Sequence, residues 1–243
     1  MRGDADSILG HLRSVDAERV RRAASPDLAS RVHAIKSYQQ RRFSHTYSDL
    51  LGSPRYGAAA RFFLDELYGP SDFTERDAQF ARVVPALVRL FPQEIVGTVE
   101  TLARLHALSE SLDTVMATHL PMPSVDAQSY TLAWQATARA GDREAQIVLT
   151  LSVGQSLDRL TRNPLIRHTL RMMRGPARAA GLGELQRFLE AGFDTFKAMG
   201  GAQEFLAIIG ARERALAQEL FSARALEPNA DRHLGDIPLG QLP

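Results

Sequence analysis

The chain contains no cysteine, which excludes disulfides, thiolate metal sites and cysteine nucleophiles and fits a reducing compartment. Lysine is nearly as scarce. Lys36 and Lys197 are the two, so 27 of the 29 basic residues are arginine, a bias that points to a GC-rich coding genome more than to selection for bidentate binding. Basic and acidic residues almost cancel, leaving a formal charge of +1, so no long-range field draws the whole molecule to nucleic acid or an acidic membrane. No apolar run approaches the ~18–20 residues of a membrane span, and Met1 to Asp6 carries early acids and no apolar signal core. The expectation is a cytoplasmic protein without membrane or nucleic-acid partners. Also missing are GxSxG, HExxH and a glycine-rich phosphate loop: Gly181-Leu182-Gly183 follows a helical segment and lacks a third glycine.

What is present is a helical pattern. Across 243 residues, 44% of them hydrophobic, the apolar positions follow the 3.6-residue period, and Pro, Gly and Asn divide the chain into about ten helices. The expected fold is a compact all-α bundle with one core over residues 1–226 and a mobile tail over residues 227–243. The first helix presents Ile8, Leu9, Leu12, Val15 and Val20 on one side. Ser25-Pro26 and Asn163-Pro164 have the N-cap and first-turn proline of helix starts, and Asp72 with Glu75 has capping-box spacing. Pro85 predicts a kink or break near residues 83–85. A stripe of Ile95, Val99, Leu102, Leu105, Leu108, Leu112 and Val115 makes the helix from about residue 93 to 118 central to the core. Gly141-Asp142 marks the next stop. Residues 147–153 alternate like a strand, yet no partner strand is in sight, so they are read as helix.

The string Arg61-Phe62-Phe63-Leu64-Asp65-Glu66-Leu67-Tyr68-Gly69 resembles the signature of the FFLEELY-motif family of bacterial proteins, with Asp65 in place of the first glutamate. The stretches at residues 72–77 and 171–177 add to the resemblance, which spans about residues 40 to 220. It implies a helical fold and assigns no activity or catalytic residue.

Three polar groupings stand out. Asp65 and Glu66 fall in the last turn of a helix, where the macrodipole disfavours carboxylates, beside Phe62, Phe63 and Leu67, so an arginine partner is expected. His106, Ser109, Glu110 and Asp113 form a polar line along one helix. The His106–Glu110 spacing suits two metal ligands, but a third is lacking, so an intrahelical pair is expected and neither metal nor cofactor is assigned. Residues 158–178 hold six arginines against one acid, Asp158. Arg167, Arg171, Arg174 and Arg178 recur as one helical stripe, and Gly175-Pro176 would free backbone donors beside it. This stripe is the candidate site for an anionic small molecule or a phosphorylated or acyl-carrier partner. A helical adaptor, self-associating or binding another protein, is the second reading, and an enzyme built on Asp65, Glu66 and His106 the third.

Overall fold

The computed structural model describes residues 2–66, 70–71, 73–222 and 242–243. Among them are twelve helices and no strand. The long ones are α1 (Arg2–Ala23), α2 (Pro26–Thr46), α5 (Thr74–Leu90), α6 (Gln93–Thr118), α8 (Ala140–Thr161), α11 (Gly183–Ala198) and α12 (Gln203–Phe221). The short ones are α3 (Ser48–Gly52), α4 (Gly57–Glu66), α7 (Ala127–Ala136), α9 (Pro164–Met172) and α10 (Arg174–Ala179). The chain turns at Tyr47 between α2 and α3, a break that the punctuation does not announce, and the break expected at Gly175-Pro176 falls two residues earlier, at Met173 between α9 and α10.

Local chemistry explains most boundaries. Ser25 and Asn163 accept backbone N–H bonds and cap α2 and α9 ahead of Pro26 and Pro164. Asp126 and Ser129 form a reciprocal capping box that opens α7. The stop expected at Gly141-Asp142 falls earlier. Ala138 takes a left-handed φ of 52° and Gly141 lies inside the first turn of α8. Helix α5 runs unbroken through Pro85, whose ring lies on the exposed side of the helix. Residues 147–153 are helical within α8. Leu67, Tyr68, Gly69, the Asp72 cap and all but the last two residues of the tail lie outside the described residues. Leu242 packs against the cluster formed by α2, α7 and α12.

The buried apolar side chains fall into three clusters, not the single core expected. One joins α4, α11 and α12 through Phe63, Phe196 and Phe205. A second joins α2, α7 and α12 through Tyr38, Tyr130 and Leu216. The third joins α1, α5 and α6 through Ile8, Val84 and Ala103. Helix α6 packs on α1, α2 and α8, and so many neighbours bury its polar side as well as its apolar one. Glu110 and Asp113 are each 6% exposed, whereas Leu102, Leu105 and Leu108 of the expected stripe are only half-buried. On α1, Ile8, Leu12 and Val15 are buried, but Val20 is 68% exposed.

Candidate functional site

Where the first and third clusters meet, Leu102 and Leu105 of α6 face a cleft of about 150 Å³. Its walls are apolar, with Leu12 from α1, Phe63 from α4, Phe80 from α5, Leu102 and Leu105 from α6, and Phe188 from α11. Its polar side is built by Lys36 and Gln39 of α2, Asp77 of α5, His106, Glu110 and Asp113 of α6, and Gln146 of α8. Recurrence at roughly one-turn steps places His106, Ser109, Glu110 and Asp113 on the same side of α6, and all four line the cleft.

The charges on that side are matched by neighbouring helices. Glu110 accepts from Arg22 of α1 and from Lys36 Nζ at 2.5 Å. Burial alone would raise its pKa, but those two cations hold it down to about 2. Asp77 accepts from Arg19 Nη2 at 2.5 Å, and its Oδ2 lies 2.8 Å from His106 Nε2. Burial opposes its ionisation and these partners overcome it, so the Asp77 carboxyl sits below the usual range. Asp113 differs. Its Oδ1 accepts one bond, from Gln39 Nε2 at 3.0 Å, and burial pushes its carboxyl up despite the nearby Lys36.

At the other side of the cleft, the Arg76 guanidinium lies between Phe73 and Phe188, 4.0 and 4.5 Å from the ring centroids. It also faces Glu66 Oε2 at 3.5 Å and donates to the Glu66 carbonyl oxygen at 3.1 Å. Desolvation lowers its pKa in spite of Asp77 and Glu66. Arg187 completes the cage with a 2.8 Å bond to Glu66 Oε1.

The structure therefore brings Glu66, His106 and Glu110 to one cleft and leaves Asp65 exposed outside it. His106 pairs with Asp77 on α5 and Glu110 with α1 and α2, in place of the intrahelical pair, because neighbouring helices bring closer partners than the next turn does. Among the described residues no three His, Asp or Glu side chains are grouped to hold a metal ion. Sequence reasoning missed Asp77, Arg76 and Gln39. Lys36 had a signal in its rarity and Arg76 and Asp77 lay in the stretch 72–77 that carries part of the family resemblance, while nothing in the sequence singled out Gln39.

The four stripe arginines lie elsewhere, on α9 and α10. Arg167 pairs with Asp194 at 2.8 Å and Arg174 grips Glu190 through Nε and Nη2 at 2.5–2.7 Å. Arg171 and Arg178 are exposed and make no ion pair among the described residues. Exposed Leu165, Met172 and Met173 lie on the same segment.

The described residues thus form a helical protein with a cleft of about 150 Å³ against α6. The chain belongs to the family described as "Domain of unknown function (DUF8198)", which matches residues 18–227. No curated protein and no solved structure matches it. Among the described residues no helix is long and apolar enough to cross a membrane.

Proposed function

We propose that the protein binds a small molecule with an apolar body in the cleft against α6. The observation that carries this reading is the cleft itself, an interior space walled by leucines and phenylalanines with a few convergent polar groups at one side, which is the usual make-up of a ligand site. Glu66, Asp77 and Glu110 are already paired with cations, so these charges set orientation and demand no counter-charge from the ligand. Affinity then comes from apolar burial, at roughly 25 cal/mol per Å². Phe63 and Glu66 line the cleft, so the kinship with the FFLEELY-motif proteins belongs to the same proposal, with the motif as part of the wall. A cytoplasmic setting is part of it too, supported by the absence of cysteine.

The test is a thermal-stability screen with aromatic and short-chain compounds, run beside native mass spectrometry of protein purified from its own cells. A ligand at 100 times its dissociation constant stabilises by ~2.7 kcal/mol. Leu189→Trp, at a wall position that is 40% exposed, should weaken the response and Arg171→Gln should leave it intact. Failure of every compound to shift the wild type, with no retained ligand, overturns the reading.

A second reading keeps the stripe of Arg167, Arg171, Arg174 and Arg178 as an anion site. It is favoured by the exposure of Arg171 and Arg178, whose guanidinium forks suit phosphate or carboxylate.

A further inference from the structure

Beside the cleft lies a second, smaller chamber of about 40 Å³, lined by residues of α2, α7, α8 and α12. Gln39, Gln146 and Thr150 line both spaces, so the two adjoin. Two of the chamber's lining residues are buried donors without acceptors: neither the Tyr130 hydroxyl nor the Trp134 indole N–H has a hydrogen-bond partner. Tyr130 is 0% exposed and Trp134 6%. A buried donor left unpaired is costly enough that native proteins almost always supply an acceptor. The lining also carries the guanidiniums of Arg42 and Arg143 against one carboxylate, Glu213, which itself accepts from Arg42 and from the Tyr47 hydroxyl. The chamber thus offers donors, and it is large enough for one or two water molecules or a head group of three atoms.

We propose that this chamber receives the carboxylate head of a ligand whose apolar body lies in the adjoining cleft, which makes the ligand class a short-chain or aryl carboxylate. The inference rests on the reading of the cleft as a binding site and adds the head group to it. The carboxylate oxygens accept from Tyr130 and Trp134, with the guanidinium of Arg143, 3.8 Å over the Trp134 ring, supplying the field.

Trp134 is the single tryptophan of the chain, so its fluorescence reports on the chamber directly. Hexanoate and benzoate, titrated beside hexanol and benzyl alcohol, should give saturable changes at concentrations roughly tenfold or more below those the alcohols need. Tyr130→Phe, which keeps the ring and removes the donor, should weaken acid binding far more than alcohol binding and so erase most of that preference. Alcohols binding as tightly as the acids would mean that the chamber holds only water, overturning the head-group assignment and leaving the cleft reading in place. A carboxylate preference that survives in Tyr130→Phe overturns the assignment as well. Absence of any saturable response, to acids or alcohols, by fluorescence and by thermal shift, removes both readings together.

Discussion

Glu110 and Asp113 stand one turn apart on α6, both more than nine-tenths buried, and the fold drives their carboxyl groups in opposite directions. Glu110 is clamped between Arg22 and Lys36. Asp113 receives one side-chain hydrogen bond, from the neutral Gln39. The difference arises from what α1 and α2 present at each level of the helix, since the two residues share a backbone and a depth.

The clamp makes Glu110 a source of acid sensitivity. A carboxyl whose folded value is about 2 against an ordinary 4.5 adds stability that is complete above 4.5 and is lost as the pH falls toward 2. Glu110→Gln leaves two buried cations facing a neutral amide and should cost roughly 3–5 kcal/mol at pH 7. Denaturant unfolding of both proteins at pH 7 and at pH 3 checks this. The gap between them should narrow at the lower pH, and a gap independent of pH would contradict the clamp.

Asp113 predicts the reverse slope. A carboxyl raised by burial contributes stability that is full below the ordinary aspartate value of 3.8 and is lost as the pH climbs through its folded value. Asp113→Asn keeps the acceptor that Gln39 uses and removes the penalty. Its melting temperature should match the wild type near pH 4 and exceed it at pH 8, so a variant less stable than wild type at pH 8 would count against the assignment.

Arg76 separates stacking from charge. Lysine at this position keeps the charge near Glu66 and Asp77 but loses the planar group held between Phe73 and Phe188. Arg76→Lys should cost about 1–3 kcal/mol, given ~0.5–2 kcal/mol for each desolvated cation–aromatic contact. Arg171→Lys, on an exposed and unstacked residue, should leave denaturant midpoints unchanged. Equal effects at the two positions would show that the sandwich contributes nothing.

The helical architecture was legible because capping and periodicity are local: Ser25-Pro26 and Asn163-Pro164 start helices where their side chains say they should. The polar line of α6 was legible for the same reason, as a spacing on one helix. Its partners were not. Asp77 meets His106 from 29 residues away and Lys36 meets Glu110 from 74, and no single-sequence pattern encodes such a meeting. The leucine stripe misled in one respect. Periodicity finds the apolar side of a helix, but when neighbours surround a helix the polar side is buried too, and the apolar side can face a cleft. The tail at Leu242 shows a similar limit, since its docking on the second cluster leaves no periodic trace.

The arginine segment gives the last prediction, because its four members now divide into two kinds. Arg167 and Arg174 are tied to Asp194 and Glu190 of α11, while Arg171 and Arg178 face solvent without an ion pair among the described residues. If the stripe binds an anion, the second pair supplies the available donors. Arg171→Gln/Arg178→Gln should then keep the wild-type melting temperature in plain buffer and lose the stabilisation that millimolar phosphate gives the wild type. The double substitution Arg167→Gln/Arg174→Gln should lower the melting temperature in plain buffer and retain a phosphate response, since it removes internal pairs and leaves the exposed guanidiniums. General ionic screening shifts all three proteins alike, so a common shift, or none, would end the anion reading and leave these arginines as a solvated surface. The cleft would be unaffected by either outcome, because none of the four lines it.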